Sequence, residues 1–226
     1  MNSLHFDRTE PEKIICPVIL LVDSSGNMVG ERLARVNELL ASLRTLLLDY
    51  NHNSECREAR LSVMSFGTAA KWECFMLDPA QVLPLIEGGG LCNMGGALSM
   101  LRDSLCKLYT PECYMDYTLP TIALISGDFS PTDDARAPLS ALMKNGIFAR
   151  SVRLSAYMSE DADLRLAEVF ASSKETCLEL SGLREAMLCL FPSEGFRLPH
   201  GEVIEEKGEP CDISTEEQDL RRFEGW

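Results

Sequence analysis

A five-residue apolar run near the start of this chain stops on a carboxylate. Val18-Ile19-Leu20-Leu21-Val22 ends at Asp23, and Ser24, Ser25, Gly26 and Asn27 follow directly. A carboxylate, two hydroxyls and an amide in five positions are hard oxygen donors, the kind that Mg²⁺ selects. Asp23, Ser25 and Asn27 are therefore the candidate metal ligands. A metal at Asp23 and Asp128 would also suit a small hydrolase, but that chemistry needs a general base, and no histidine lies nearby in sequence. Only Glu31 or Asp133 could take that part.

Other reactive groups point to less. Cys92 follows Gly88-Gly89-Gly90 at the start of a helical pattern, where a thiolate is stabilised, but no histidine accompanies it as a base. The triple glycine lacks the Gly-Lys-Ser/Thr of a phosphate loop and reads as a backbone turn. The nine cysteines form no CxxC pair, and His5, His52 and His200 stand apart from them, so zinc is not indicated. Asp133 and Asp134, like Asp161 and Asp163, read as acidic first turns of helices.

The elements that must position these groups alternate in type. Ile14 to Asp23 reads as a central strand and Gly30 to Asn51 as a long amphipathic helix. Arg60 to Phe66 is a strand, and Lys71 to Met76 a short one at an edge. Pro79 to Ile86 reads as a short helix and Asn93 to Leu108 as a longer one. Thr118 to Ser126 is apolar enough for a strand buried on both faces. Asp133 to Asn145 is a helix stopped by Gly146, and Phe148 to Leu154 a strand. Ala162 to Ala171 is a helix, Cys177 to Leu180 a strand, and Gly182 to Leu190 a last helix. This order predicts a doubly wound, Rossmann-like α/β domain with a mostly parallel sheet and helices on both faces. Its span is 14–192, after a polar leader (1–13) and before an acidic tail (193–226).

Thirty-five acidic residues against 21 basic leave a net charge of −14, which repels nucleic acid and anionic membrane. No apolar run reaches the roughly 20 residues of a membrane span, and residues 1–8 do not order as a signal peptide. A cytoplasmic protein with a protein partner is the expectation.

The segment LLVDSSGNMVGERLARVNELL resembles the opening of a von Willebrand factor type A (vWA) domain, and is most similar to the TerY-like branch of bacterial tellurium-resistance and stress operons. Val63-Met64-Ser65-Phe66 with Ala69-Ala70-Lys71 resembles that family's second and third strands. Gly88 to Leu98 resembles its glycine loop, and Ile125 to Asp133 the end of its fourth strand, usually S-D-G-x-P-T-D. The resemblance implies a divalent cation such as Mg²⁺, held at a metal-ion-dependent adhesion site (MIDAS) opened by D-x-S-x-S, whose coordination an acidic group of a partner completes. Asp23 and Ser25 match that motif and Asn27 departs from it. Cys92 stands where the family has a threonine, and Gly127-Asp128 reverses the usual order. The site implied is a degenerate one, whose remaining ligands would be Asp23, Ser25, Asn27 and Asp128. The function implied is a non-enzymatic scaffold in a stress or defence system. It would dock its partner, an operon-linked kinase or phosphatase, through Asp23, Ser24, Ser25, Asn27, Cys92, Asn93 and Asp128 at the carboxyl edge of the sheet.

Overall fold

Two strands whose side chains are apolar on both faces take the middle of the sheet, since only there do helices cover both sides. The computed structural model describes residues 13–110 and 116–191. The elements in chain order are β1 (Ile14–Asp23), α1 (Glu31–Asn53), β2 (Arg57–Phe66), β3 (Ala70–Leu77), α2 (Met94–Leu108), β4 (Thr121–Ile125), α3 (Arg136–Met143), α4 (Gly146–Arg150), β5 (Val152–Tyr157), α5 (Leu164–Phe170), β6 (Cys177–Glu179) and α6 (Leu180–Leu190). The six strands run β3-β2-β1-β4-β5-β6, all parallel except β3, which pairs antiparallel with β2. The expected doubly wound α/β architecture is present.

Alternation along β1 divides the core. Cys16, Val18, Leu20 and Val22 pack with Leu33, Val36, Leu40, Leu43 and Leu47 of α1 and with Leu183 and Met187 of α6. Ile19 and Leu21 point the other way, into a layer built from α2, α3, α4 and α5 through residues such as Leu98, Leu139, Phe148 and Phe170. The chain leaves β1 for β2 and β3 on one side, then returns to β4 on the other. That reversal puts the topological switch point between β1 and β4, where open sheets of this kind bind ligands outside the carboxyl ends of the strands.

Two elements differ from the sequence-based expectation. Residues 79–86 are not helical. Pro84 lacks an N–H and biases Leu83 toward extended backbone. Helix α1 takes up the segment instead: Asn37 Nδ2 donates to Ile86 O, Ile86 N donates to Asn37 Oδ1, and Arg44 donates to the carbonyls of Ala80 and Gln81. The strand expected from Phe148 begins only at Val152, because Asn145 Oδ1 accepts the N–H groups of Ile147 and Phe148 and starts α4. Gly146 therefore opens a helix rather than stopping one.

By contacts the chain divides into units Met1–Glu194 and Gly195–Trp226, and every described residue belongs to the first. The leader expected over residues 1–12 and the acidic tail lie outside the described residues. No described helix is long and apolar enough to cross a membrane.

The clamp on residues 79–86 has a measurable consequence. Asn37→Ala removes both side-chain partners of the Ile86 backbone. It should lower stability by about 1–3 kcal/mol in urea unfolding, the cost of leaving part-buried backbone groups unpaired. A loss below about 0.3 kcal/mol would show that the segment does not depend on this clamp.

Candidate functional site

Asp23 lies at the carboxyl end of β1 and is 1% exposed. Three donors converge on it. Ser25 N–H donates to Oδ1 at 2.9 Å, Ser126 Oγ donates to Oδ2 at 2.7 Å, and the Cys92 thiol faces Oδ2 at 3.7 Å. Ser126 directly follows β4, so its bond crosses the switch point. Its hydroxyl also accepts the N–H of Phe129 at 3.2 Å, which closes the β4 loop. Burial, and then the Asp23 carboxyl beside it, pushes the Cys92 thiol far above its ordinary value. Cys92 is a neutral S–H, and the stabilised thiolate suggested by its place before a helix does not form.

Backbone bonds fasten the surrounding loops to this centre. Gly89 N–H donates to Ser24 O at 2.7 Å, Gly26 N–H to Gly90 O at 2.9 Å and Asn93 N–H to Gly67 O at 2.9 Å. A β-carbon on Gly67 would stand 2.7 Å from Gly89 O, so the two loops touch through backbone alone. Thr132 grips Cys92 three ways: its N–H and hydroxyl donate to Cys92 O, and its Oγ1 accepts Cys92 N–H. Asp133 opens no helix of its own. Its two oxygens accept Gly95 N–H and Gly96 N–H at the start of α2, while Asp134 accepts from Arg136 and Ala137 at the start of α3. Asp163 is the N-cap of α5 rather than part of its first turn, Asp161 lies in the turn before it, and the hydrogen bond from Arg165 lowers the Asp163 carboxyl to about 2.

The candidate residues fall into two groups. Asp23, Ser24, Ser25 and Cys92 are buried together. Asn27 and Asp128 lie further out, where Asn27 Nδ2 reaches Asp128 Oδ2 at 3.5 Å and Asp128 Oδ1 accepts from Ser130 N–H. Asn93 caps α2 by accepting Gly96 N–H. Two residues at the site escaped the sequence reading. Ser126 had a signal, since it ends the second central apolar run as Asp23 ends the first. Arg32 had none. Its guanidinium lies over the end of β4, and a β-carbon on Gly127 would stand 3.0 Å from Arg32 Nη1 and 3.1 Å from Met28 Sδ.

Compared by sequence, the chain matches no family model and no curated protein. Solved structures do resemble it. The manganese-loaded TRAP protein of Plasmodium vivax superposes with a TM-score of 0.57 at 15% identity, over 80% of this chain and 74% of that one. VWA2, the ArnB paralog from Sulfolobus acidocaldarius, gives 0.54 at 14% identity, over 75% and 43%. Proximal thread matrix protein 1 from the mussel byssus, with a zinc-occupied MIDAS motif, gives 0.51 at 15% identity, over 79% and 46%. The chain has the vWA fold. It spans about half the length of the mussel and archaeal proteins.

Metal-bearing structures thus share this vWA fold, but the donor set here does not fit a divalent cation. Cys92 presents a neutral thiol in place of an oxygen, and Gly127 has no side chain. The Arg32 guanidinium, a cation itself, stands beside that glycine. Among the described residues no three His, Cys, Asp or Glu side chains gather as a metal cluster. A melt in EDTA should therefore match one in millimolar Mg²⁺ or Mn²⁺ within a degree, and a rise of several degrees that Asp23→Ala abolishes would show a working ion site.

The state of Cys92 gives a second test. Exposed Cys56, Cys106 and Cys189 should take up iodoacetamide at pH 8.5 while Cys92 in the folded protein stays unmodified, as peptide mass mapping reads. Folding holds the Cys92 proton more tightly than the unfolded chain does. Its contribution is whole below the unfolded thiol value of about 8.5 and declines as the pH rises past it. Cys74, Cys177 and Tyr50 shift the same way, so Cys92→Ala should remove only a share of the alkaline loss of stability.

Proposed function

We propose that this chain is a non-enzymatic protein-interaction module that docks a protein partner through the carboxyl edge of its sheet without needing a divalent cation. The observation that carries this reading is the combination of a rigid edge and exposed apolar side chains. Val29 is 58% and Leu91 60% exposed. They belong to the two loops joined by the Gly26–Gly90 bond. Large apolar side chains held open on a fixed surface mark interaction sites in soluble proteins. Fixed loops also spare a complex the entropy of ordering them on binding.

The resemblance to TerY-like proteins supports a setting: a bacterial stress or defence system, in the cytoplasm, with a kinase or phosphatase of the same system as partner. The described cysteines are all free, which suits a reducing compartment. A hydrolase reading at Asp23 and Asp128 gains nothing from the geometry. Asp23 is closed in by its donors, and the one described histidine, His52, lies in the last turn of α1, at the far end of that helix from Asp23.

The test is a pull-down from the native host with the full chain as bait, run in EDTA, against Leu91→Glu and Val29→Glu. Leu190→Glu on α6 serves as the surface control. The reading expects a specific protein that survives EDTA, is lost at least tenfold with either edge variant, and is kept by the control. Retention equal across all four baits would overturn docking at this edge.

A further inference from the structure

The run Val82-Leu83-Pro84-Leu85-Ile86 is apolar without a break, yet only part of it faces the core. Ile86 is buried, and Leu83 packs half-buried against the α1 side of the core. Val82 is 86% and Leu85 71% exposed, the two most exposed large apolar side chains among the described residues. Pro84 between them is exposed as well.

Slack in a loop does not account for this. Arg44 holds the carbonyls of Ala80 and Gln81 before the run, and Asn37 takes both backbone groups of Ile86 at its end. The two clamping residues stand about two turns apart on α1, so the segment lies along the helix in the opposite direction. Turning Val82 or Leu85 inward would pull Leu83 or Ile86 out of the core, against both clamps. The pair forms a fixed apolar ridge, and apolar surface held open in this way marks a place that another molecule covers.

The charge around the ridge selects the occupant. Asp78 and Glu87 are the charged residues of the whole stretch 78–91, which has no lysine or arginine. On α1, Glu31 and Glu38 are exposed, while Arg44 spends Nε and Nη2 on carbonyls. Asp78 meets Arg60, but Glu31, Glu38 and Glu87 have no ion pair among the described residues. A second copy would bring the same acids, and a net charge of −14, to the contact. That field repels a like-charged body and draws in a basic one.

We propose that the Val82–Leu85 ridge is a second docking surface, and that its occupant is a partner segment in which apolar side chains are joined by lysine or arginine. The apolar side chains would cover Val82, Pro84 and Leu85, and the basic ones would face Glu87 and the exposed acids of α1. The surface lies on the flank of α1 and goes beyond the docking proposed for the carboxyl edge. The segment comes up against Val29 only at Gly88, where a β-carbon would stand 3.1 Å from Val29 Cγ2.

A displayed library of random dodecapeptides, panned at low salt against the full chain, tests this. Val82→Ser and Leu85→Ser remove the ridge, Glu87→Gln removes a charge, Leu91→Ser alters the carboxyl edge, and Leu190→Ser on α6 is the surface control. Thermal melts establish that each variant is folded. The inference expects winners that combine Leu, Ile, Val or Phe with Lys or Arg. A synthetic copy of the winner should bind at least tenfold more weakly to Val82→Ser and Leu85→Ser and several-fold more weakly to Glu87→Gln. Leu190→Ser should bind it as the parent does, and added salt should weaken it. Winners without a basic residue, or an affinity that neither salt nor Glu87→Gln changes, overturn the choice of occupant. Winners indifferent to Val82→Ser and Leu85→Ser, or no enrichment at all, overturn the surface. Winners lost with Leu91→Ser but kept by Leu85→Ser belong to the carboxyl edge, so they overturn this inference and leave that reading standing. Sedimentation of the free chain covers the remaining occupant: a dimer at micromolar concentration that Leu85→Ser abolishes would show a second copy on the ridge and overturn the basic partner.

Discussion

The Asp23 carboxyl, buried at the one point where the strand order reverses, is the group on which the edge of this molecule depends. Removing a carboxyl from water costs several kcal/mol unless donors replace the lost hydration. Here they come from the turn after β1, from the residue after β4 and from the loop before α2. Each donor is therefore required to stay in place, and each brings its loop with it. Ser126 then holds Phe129, Cys92 holds Thr132, and Asp133 beyond Thr132 caps α2. One buried polar group thus propagates into a fixed surface.

Much of the fold can be read from the sequence because its signals are local. The runs Val18–Val22 and Thr118–Ser126 announce central strands, and the spacing of Leu33, Val36, Leu39, Leu40 and Leu43 announces α1. Where the reading fails, a distant or adjacent side chain overrides local propensity. Residues 79–86 look helical until Asn37 and Arg44 claim their backbone. The turn at 146–150 is decided by one asparagine.

The site was legible by halves for the same reason. Asp23 and Ser25 could be placed from a strand end, and Cys92 beside them through the resemblance of its glycine loop to that of vWA domains. The bond from Ser126 to Asp23 joins residues 103 apart in sequence, and the position of Arg32 over Gly127 depends on how α1 lies against β4. Neither carries a spacing rule. Asp133 shows the limit well: an acid before a helix reads as the cap of that helix, yet it caps a different one across the loop.

A surface fixed in this way has a consequence for how it can bind. A divalent cation at a sheet edge adds strong, directional attraction, and its affinity for the site can be modulated by ion concentration. A neutral thiol and a hydrogen-bonded carboxyl offer no such control, because their partners lie inside the chain. The docking proposed for this edge would draw on the apolar area of Val29 and Leu91. It would be set by the partner's abundance. Specificity then falls to the shape of the loops between Val29 and Leu91. The internal bonds of Asp23 maintain that shape before any partner arrives.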